Sequence, residues 1–422
     1  MSGTSNEVMV TGIGPVTSIG VGHAALWDAI LAGRSNVQKR SLAVDLGVMA
    51  EMPVASMPPA ESVPGLGPHL EFVATQDCPG YRDLAYTLLA TELALADAGI
   101  EYNRDSNHIG VIQAFEAPGV ERTVGQLFGM FSGPPPTDGP PRVYDVLAPR
   151  FYNMQAFLYV HMVVKALGLH GFSTGVHNAC SSGAFAIELA AQRIRAGAAD
   201  VMVVAGGEAF DTAVRLEWFR RLGLYASDDR MGPFDSSSSG FYVGEGGAAL
   251  VLESSAHAAR RGANPYATYL GGAFAQQSFK QTTPDVRAAR LREVIVSALA
   301  VAKVSRSDVD LIVPHGAGTA ISDGYEASCL SGALRGESIH AVATAVKPYF
   351  GHMLAASGII DTIAALLAMR HGQVPATLHT QPDRVELPVP LATGRMDRPS
   401  RTLLKLCTGF TGHDAAVVFR HP

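Results

Sequence analysis

The fold is decided by residues 177–197, HNACSSGAFAIELAAQRIRAG, whose plan is repeated by residues 344–372, TAVKPYFGHMLAASGIIDTIAALLAMRHG. Each stretch begins as the end of a strand, passes through a tight turn, and continues as a helix that is apolar on most faces. A helix of this kind is usually buried, and glycine favours the position that follows a helix. We therefore predict two central helices that end at Gly197 and Gly372, and an internal duplication of the chain.

Short β-branched segments alternate with helical stretches along the rest of the chain. Strands are predicted at residues 7–12, 107–113, 200–206, 246–253 and 310–315, and helices at the Ala/Leu-rich residues 84–98 and 182–196. This alternation is typical of sheets covered on both faces, so the predicted fold class is layered α/β. A boundary within residues 254–265 divides the chain into halves 1–255 and 256–422. The Pro- and Gly-rich residues 52–68 and 133–141 predict surface loops.

The composition narrows the possible functions. Of the 422 residues, 47% are apolar and 17% are charged, which suits a folded globular protein. The net charge of −6 argues against a role centred on nucleic acid. The cysteines at positions 78, 180, 329 and 407 are too far apart for a CxxC pair, which favours a cytoplasmic location. The first ten residues lack the features of a secretory signal, and no apolar run reaches about 18 residues, so we expect no membrane span.

Cys180 lies at the start of the first predicted central helix. The N-terminus of a helix carries unpaired N–H groups and partial positive charge, which lower the pKa of a thiol and stabilise a nearby oxyanion. The small neighbouring side chains leave room for a substrate to approach the sulfur. Two interpretations remain open on position alone: a nucleophile, or a small buried apolar residue.

Two histidines occupy comparable places. His315 follows the apolar segment LIVP and precedes a Gly-rich loop, and the carboxyl end of a strand is where open α/β sheets bind ligands. His352 follows Phe350 and Gly351, and we predict it in the first turn of the second central helix. Neither histidine has a potential metal ligand at short spacing, so no zinc site is expected. For each, a hydrogen-bonded core residue is the alternative.

Several ordered motifs make the chain resemble the β-ketoacyl-acyl carrier protein synthases, the decarboxylating condensing enzymes of the thiolase-like superfamily. The motifs are VMVTGIGPVTSIG from residue 8, NACSSG from residue 178, PFDSSSSGFYVGEG from residue 233, HGAGTAISDGYEA from residue 315 and VKPYFGHMLAASG from residue 346. Cys180, His315 and His352 are separated by 135 and 37 residues, which suits the elongating Cys-His-His branch. The resemblance implies a thiolase-like fold, with two pseudo-duplicated αβαβα halves that form a five-layer core.

The resemblance also implies roles for individual residues. Cys180 would accept the acyl group as a thioester, and His315 and His352 would stabilise the enolate that forms when the malonyl group loses carbon dioxide. The backbone N–H groups of Cys180 and Phe410 would form an oxyanion hole. The remaining implied roles are a buried Lys347–Glu326 pair that orients the site, and gating or substrate contacts from Phe410, Thr411 and Thr319. No metal or redox cofactor is implied, because the phosphopantetheine arm arrives on the carrier protein.

The chain departs from the family pattern in the C-terminal loop and beside the first histidine. The usual GFGGTN is GFTGHD at residues 409–414, so Thr411 replaces a flexible glycine and should stiffen the loop. His413 and Asp414 replace threonine and asparagine. Ala317 replaces the threonine that normally follows HG, which removes a hydroxyl near His315.

Residues 150–160, RFYNMQAFLYV, are unusually aromatic. The resemblance places this segment at the acyl pocket and the dimer interface. Ordinary core packing would explain the aromatic side chains, and the alternative is a pocket shaped for a specialised, unsaturated or aromatic acyl chain.

The partners implied are an acidic acyl carrier protein and a second subunit, in a homodimer or in a heterodimer with a ketosynthase-like partner. A chain with a net charge of −6 needs a local basic patch to bind such a carrier. Arg215, Arg220 and Arg221 are the candidates for this patch, and a solvated helix face is the alternative.

The function predicted is decarboxylative Claisen condensation of a Cys-bound acyl group with malonyl-acyl carrier protein. The pathway would be fatty-acid or polyketide biosynthesis, with a specialised polyketide pathway favoured. One alternative is a carrier-dependent acyltransferase that does not condense. The other is a partner subunit of a ketosynthase heterodimer, although such subunits usually lack the cysteine that is present here at position 180.

Overall fold

A computed structural model describes residues 7–76, 81–103, 108–131, 155–335 and 339–422, together with Tyr144 and Ala148. The strands are β1 Val8–Thr17, β2 Gly20–Val21, β3 Val37–Asp45, β4 Val48–Ala55, β5 Ile109–Ala114, β6 Ser173–Val176, β7 Val201–Glu208, β8 Val243–Gly244, β9 Gly246–Ser254, β10 Ala267–Gln276, β11 Leu311–Val313, β12 Val342–Ala343, β13 Gln373–Val374, β14 Met396–Asp397, β15 Thr402–Gly409 and β16 His413–Arg420. The helices are α1 His23–Leu31, α2 Leu66–Thr75, α3 Arg82–Ala98, α4 Val120–Phe131, α5 Ala156–Leu167, α6 Ser182–Arg195, α7 Val214–Arg221, α8 Ser255–Arg260, α9 Arg290–Ala302, α10 Ala320–Ala333, α11 Lys347–Phe350 and α12 Ser357–His371.

The main sheet contains the same five-stranded arrangement twice. Its order is β12-β11-β15-β16-β10-β1-β9-β7-β5-β6, with β2 paired to β1. In one half β6, β5 and β7 are parallel and β9 and β1 are antiparallel. In the other half β12, β11 and β15 are parallel and β16 and β10 are antiparallel. The strands follow the chain in the same sequence in both halves, which confirms the predicted duplication and the layered α/β fold.

The two central helices α6 and α12 pack against each other between the halves. A Cβ atom on Gly183 would lie 2.9 Å from the backbone nitrogen of Ile359, so glycine is required where the helices approach each other. Every residue of α12 from Ser357 to Met369 is buried. The backbone turns into the left-handed region at Gly197 and Gly372, with φ of 67° and 63°, which confirms both predicted helix ends.

Among the residues that the structure describes, one stretch is long and apolar enough to cross a membrane by length and composition, contrary to the sequence expectation. Leu354–His371 spans 18 residues with a mean hydropathy of 1.3, and 89% of it is buried inside the structure. The stretch includes α12, so its apolar side chains pack against other parts of the protein, as expected of a core helix.

The prediction of a loop at residues 52–68 is wrong at both ends. Residues 52–55 belong to β4, and α2 begins at Leu66. Pro53 is tolerated because it pairs with Lys39 of β3 on one side only, while β8 begins to pair at Val54. The other predicted loop, residues 133–141, lies outside the described residues.

Candidate active site

The carboxyl ends of strands from both halves meet at one cleft. Cys180 follows β6, and His315 follows β11; His352 follows β12 by way of α11. All three side chains line a cleft of about 640 Å³, together with Thr319, Phe410 and Thr411. The fold therefore brings the cysteine and the two histidines together, although up to 172 positions separate them in the sequence. The cleft also includes the three residues predicted to gate or contact the substrate.

Cys180 lies in a tight turn just before α6. The preceding Ala179 adopts a left-handed conformation, with φ of 48°, which is uncommon for a residue with a Cβ atom. Ser182 stabilises the turn, because its Oγ accepts a hydrogen bond from the Asn178 N–H at 2.8 Å and donates to the Ala179 carbonyl at 2.7 Å. The turn thus presents the sulfur to the cleft with only 8% of the residue exposed.

The predicted decrease in the pKa of the Cys180 thiol is wrong. Burial raises the pKa of this thiol well above its ordinary value of 9.0, and the carboxylate of Glu116 raises it further. The ammonium group of Lys347 acts in the opposite direction. Desolvation disfavours the charged thiolate more strongly than the local environment favours it. The thiol is consequently protonated at neutral pH in the unliganded protein.

The two histidine rings lie edge to face, with centroids 5.2 Å apart and an interplanar angle of 77°. His352 shares a hydrogen bond of 2.7 Å between its Nδ1 and Ser357 Oγ, and the Phe241 ring packs against it at 5.1 Å. Nδ1 of His315 is buried and has no hydrogen-bond partner among the described residues. Each ring therefore keeps a nitrogen that no described protein group occupies.

Burial lowers the pKa of both His315 and His352 well below the ordinary value of 6.5. The ammonium groups of Lys347 and Lys405 lower both pKa values further, and His352 does the same to His315. Both imidazoles are therefore neutral at physiological pH. A neutral imidazole has one N–H donor and one acceptor nitrogen.

The predicted position of His352 in the first turn of the second central helix is wrong. Helix α12 begins at Ser357, and His352 instead forms an isolated bridge with Val243. The chain turns at Gly351, where φ is 78° and a Cβ atom would lie 2.6 Å from the Gly244 backbone nitrogen. This close contact between two backbone segments separates α11 from α12 and brings the histidine up to the cleft.

A buried ionic cluster lies behind His315. Lys347 Nζ donates to Asp361 Oδ2 at 2.6 Å and to the His315 carbonyl at 2.6 Å. Lys405 Nζ donates to the same Asp361 oxygen at 2.9 Å. Glu326 accepts the backbone N–H groups of His315 and Gly316 at 2.6 and 2.9 Å. His315 is thus fixed from two sides through its backbone.

The predicted Lys347–Glu326 pair is therefore wrong in its partners. Both Glu326 oxygens are used by backbone N–H groups, and Asp361 on α12 accepts the ammonium group of Lys347 instead. The sequence reasoning missed Asp361 and Lys405. The sequence did carry a signal for both residues, because each is a charged residue within an apolar stretch, Asp361 in GIIDTIAALL and Lys405 in TLLKLC. A charge that such a stretch buries is almost always paired, which predicts an ionic partner for each.

The C-terminal loop approaches the nucleophile candidate through its backbone. A Cβ atom on Gly409 would lie 3.3 Å from the backbone nitrogen of Cys180. Phe410 is the next residue after this close contact. Thr411 adopts a left-handed conformation with φ of 62°. Its N–H donates to the Gln281 carbonyl at 2.5 Å. The predicted oxyanion-hole residues therefore lie on neighbouring backbone segments, and the stiffening effect of Thr411 stays a prediction.

Asp414 lies on the far side of this loop. Its Oδ2 accepts hydrogen bonds from Tyr325 at 2.8 Å and from Gln277 Nε2 at 2.7 Å. The Gln277 N–H donates to the Gly412 carbonyl at 2.9 Å. Burial raises the pKa of Asp414 to about 6, opposed by these two side-chain hydrogen bonds. The carboxyl group thus links the loop to Tyr325, which also lines the cleft.

Arg215 does not belong to a surface patch, which corrects one of the three carrier-docking candidates. Its side chain is only 15% exposed, and it binds Glu121 at 2.8 Å and Glu208 at 3.2 Å. Arg220 and Arg221 are exposed, at 53% and 78%, and both contact Glu217. Their role in binding a carrier stays a prediction.

The aromatic segment 150–160 is described only from residue 155 onwards. Leu158, Tyr159 and Val160 are buried in a core cluster, and the Tyr159 ring packs edge-on against Tyr81 at 6.1 Å. Core packing accounts for these side chains, and the proposed link to a specialised acyl chain stays a prediction. Cys180, Cys329 and Cys407 are free thiols, and Cys78 lies outside the described residues.

Comparisons with known proteins agree with the fold. Family models described as the N-terminal and C-terminal domains of beta-ketoacyl synthase match residues 82–258 and 266–381. A protein of Streptomyces halstedii named as a polyketide beta-ketoacyl synthase is 28% identical over 99% of both chains. The 3-oxoacyl-[acyl-carrier-protein] synthase 2 of Rhizobium meliloti is 28% identical over 98% of both chains.

Two solved structures cover almost the whole chain. The first, a type II polyketide ketosynthase in complex with its acyl-carrier protein, has a TM-score of 0.82 at 25% identity and covers 99% of this chain and 100% of its own. The second, the ishigamide ketosynthase/chain length factor, has a TM-score of 0.83 at 26% identity and covers 99% of both chains. These matches confirm the thiolase-like fold class. The chain belongs to the beta-ketoacyl synthase family of acyl-transferring condensing enzymes.

Proposed function

We propose that the protein condenses an acyl group held on Cys180 with a malonyl group held on an acyl carrier protein. The observation that carries this proposal is the convergence of Cys180, His315 and His352 on one cleft, with both imidazoles neutral. In the first step the sulfur of Cys180 attacks the acyl thioester of the carrier. A new thioester forms, the old carbon–sulfur bond breaks, and the thiol proton passes to the departing carrier thiolate.

In the second step the malonyl thioester enters the same cleft. Its carboxylate leaves as carbon dioxide, and the electron pair of the broken carbon–carbon bond becomes an enolate. The N–H groups of neutral His315 and His352 hydrogen-bond the enolate oxygen. A charged imidazolium at either position would donate its proton to the enolate carbon or oxygen more readily, so the low pKa of both rings favours condensation over simple protonation.

In the third step the enolate carbon attacks the carbonyl of the acyl-cysteine. The backbone N–H groups of Cys180 and Phe410 stabilise the oxyanion that forms, and the close approach of Gly409 to the Cys180 backbone supports this assignment. Collapse of the intermediate releases the Cys180 thiolate and leaves a β-ketoacyl group on the carrier. Lys347 and Glu326 act as positioning residues through the His315 backbone.

The relatives support a polyketide pathway and a carrier-bound substrate. Proteins named as polyketide beta-ketoacyl synthases align over the full chain, and the similar structures include a ketosynthase with its carrier and a ketosynthase/chain length factor. We therefore place this protein in a dimer, either with a second copy or with a ketosynthase-like subunit. Cytoplasmic localisation and the absence of a membrane or nucleic-acid partner rest on the sequence alone and stay predictions.

The test is turnover with acyl-carrier and malonyl-carrier in which released carbon dioxide and the carrier-bound product are both measured. Condensation predicts equal amounts of carbon dioxide and β-ketoacyl-carrier from the wild type, and no β-ketoacyl-carrier from Cys180→Ala. The matched control Cys329→Ala, at another buried thiol, should retain turnover. Acyl transfer without carbon dioxide would instead identify the acyltransferase alternative, and activity only after a second subunit is added would identify the heterodimer.

A further inference from the structure

An exposed tryptophan on α7 lies beside the ring of Phe410, which lines the cleft. Trp218 is 46% exposed, and its ring meets the Phe410 ring edge to face, with centroids 5.7 Å apart and an interplanar angle of 86°. The next residue, Phe219, is only 1% exposed and also packs against Phe410, at 5.9 Å. Two consecutive side chains of α7 therefore contact the same ring, one from the surface and one from the core.

The apolar surroundings of Cys180 are already filled by side chains. Cys180 belongs to a core cluster that includes Phe219 and Phe241, and Phe410 packs against this cluster. Protein interiors are close-packed and contain few voids. An acyl chain on the sulfur is stabilised by burial, but a long chain can be buried here only if it displaces one of the neighbouring side chains.

Phe410 is the neighbouring ring that can yield. Phe219 and Phe241 are 1% and 5% exposed, and their rings pack against each other with centroids 5.2 Å apart. Phe410 is half-buried and lies in the short turn between β15 and β16. Displacing a half-buried ring in a turn disturbs less packing than displacing either buried ring, so a long acyl chain should move Phe410.

The backbone around Phe410 is fixed, so the movement is confined to the side chain. The Thr411 N–H donates to the Gln281 carbonyl at 2.5 Å, and the Gln277 N–H donates to the Gly412 carbonyl at 2.9 Å. These hydrogen bonds hold the turn while the Phe410 ring rotates. The Phe410 N–H can thus remain beside Cys180 while the ring makes room for a chain.

Rotation of the Phe410 ring breaks its contact with Trp218. A contact that is present before the displacement and absent after it opposes the displacement. An edge-to-face aromatic pair contributes enough free energy to change a rate by about three- to tenfold when only one of two states retains it. A short acyl group that leaves Phe410 in place does not meet this resistance.

We propose that Trp218 is a positioning residue that holds the Phe410 ring beside Cys180 and thereby favours short acyl groups over long ones on the thiol. Among the described residues that line the cleft, Trp218 is absent, so it acts through Phe410. The proposal rests on the function proposed above, because it requires Cys180 to accept the acyl group.

The experiment measures acylation of the full-length protein by acetyl- and octanoyl-pantetheine thioesters. Attachment to Cys180 is followed by intact-protein mass, and the readout is the octanoyl-to-acetyl rate ratio, which a loss of folded protein does not change. Neither thioester includes a carrier protein, so the ratio does not report carrier binding. We expect the wild type to prefer acetyl, and Trp218→Ala to raise the ratio by about three- to tenfold.

Two matched variants test whether the ring contact is the cause. Trp218→Phe retains an aromatic ring at this position and should keep the ratio within about twofold of the wild-type ratio. Val214→Ala shortens another exposed apolar side chain one turn earlier on α7, where Val214 is 37% exposed, and should leave the ratio unchanged.

Tryptophan fluorescence supplies a second measurement. The chain contains two tryptophans, and the other one, Trp27, is 4% exposed and stacks on His371 at 5.0 Å. Octanoylation of the wild type should shift the emission to longer wavelength, because Trp218 loses its contact with Phe410, and acetylation should not. The shift should be absent from Trp218→Phe, in which Trp27 is the remaining indole.

Several results would overturn the inference. They are a wild type that accepts octanoyl as fast as acetyl, a ratio that Trp218→Ala leaves unchanged or lowers, and octanoylation without a fluorescence shift. An equal rise of the ratio in Val214→Ala or Trp218→Phe would show that the contact between the two rings does not set the preference. In all of these cases Cys180 is still acylated, so the proposed function stands. Failure of both thioesters to acylate Cys180 would refute the proposed function, and this inference with it.

Discussion

Replacing Asp361 by asparagine tests the ionic cluster that fixes His315. Asp361 Oδ2 accepts hydrogen bonds from Lys347 at 2.6 Å and Lys405 at 2.9 Å, and all three side chains are at most 1% exposed. Burial lowers the pKa of Lys405, but the Asp361 carboxylate, with smaller contributions from Cys407 and Glu326, more than offsets this, so the pKa lies above its ordinary value. In the variant that offset disappears, and a buried lysine must lose its proton.

The magnitude follows from the cost of removing that proton. The ordinary pKa of lysine is about 10.4, and each unit corresponds to about 1.4 kcal/mol, so neutralising one lysine at pH 7 costs about 4–5 kcal/mol. This agrees with the range of about 3–5 kcal/mol for breaking a buried ion pair. The unfolded variant binds one more proton than the folded variant, so its stability rises with pH. At pH 9 the penalty should fall to about 2 kcal/mol.

The assay is urea-induced unfolding of wild type and Asp361→Asn at pH 7 and pH 9. The control Asp361→Asn/Lys405→Met removes one of the two ammonium groups and should recover at least about 1 kcal/mol relative to the single variant. A penalty below about 1 kcal/mol at pH 7, or one that does not change with pH, would refute the reasoning that a shared carboxylate holds two charged lysines.

Three further predictions concern the loop and the thiol. Asp414→Asn keeps one oxygen, which can accept the hydrogen bonds from both Tyr325 and Gln277. The substitution should stabilise the protein at pH 8 by up to about 2–3 kcal/mol, because the folded-state pKa of Asp414, about 6, lies above its ordinary value. The decrease in wild-type stability between pH 4 and 6 should disappear in thermal unfolding curves of the variant, and an unchanged curve would contradict this. Alkylation of Cys180 by iodoacetamide should still be accelerating above pH 9, and Glu116→Gln should raise the rate at pH 8; a plateau near pH 8 in the wild type would contradict the raised pKa. Thr411→Gly should raise the free energy of unfolding by about 0.5–1 kcal/mol by relieving the left-handed conformation, and a loss of stability would show that the Thr411 side chain does more than fill the turn.

The sequence predicted the nucleophile candidate and both histidines because each belongs to a local motif, at a predicted strand end for His315 and at a predicted helix start for Cys180 and His352. Cys180, His315 and His352 all line the cleft, and their order along the chain was enough to relate them. The central helices and their terminal glycines were predictable for a similar reason, since apolar composition and a C-terminal glycine are local properties.

The failures concern properties that depend on distant contacts. The helix rule indicated a lower pKa for the Cys180 thiol, but burial, which sequence position does not report, raises it. Arg215 reads as one basic residue in a charged helix, yet Glu121 lies 94 positions away and takes its guanidinium into the interior. Lys347 could pair with any nearby carboxylate, and only the packing of α12 against β11 and β15 selects Asp361 over Glu326.

Pro53 illustrates a different difficulty. Prolines and glycines in residues 52–68 indicate a loop by composition, but proline is compatible with a strand wherever its missing N–H faces no neighbour. That condition holds at Pro53 because β8 pairs with β4 only from Val54 onwards. The register of β8, whose residues lie almost 200 positions later in the chain, therefore decides whether Pro53 can belong to a strand.

The most direct measurement for the central claim is peptide mapping by mass spectrometry after incubation with an acyl-carrier alone. We expect one acyl group per chain, attached to the peptide that contains Cys180, and release of that group as β-ketoacyl-carrier when malonyl-carrier is added. An acyl group found on another residue, or a stable acyl-Cys180 that malonyl-carrier does not discharge, would contradict it.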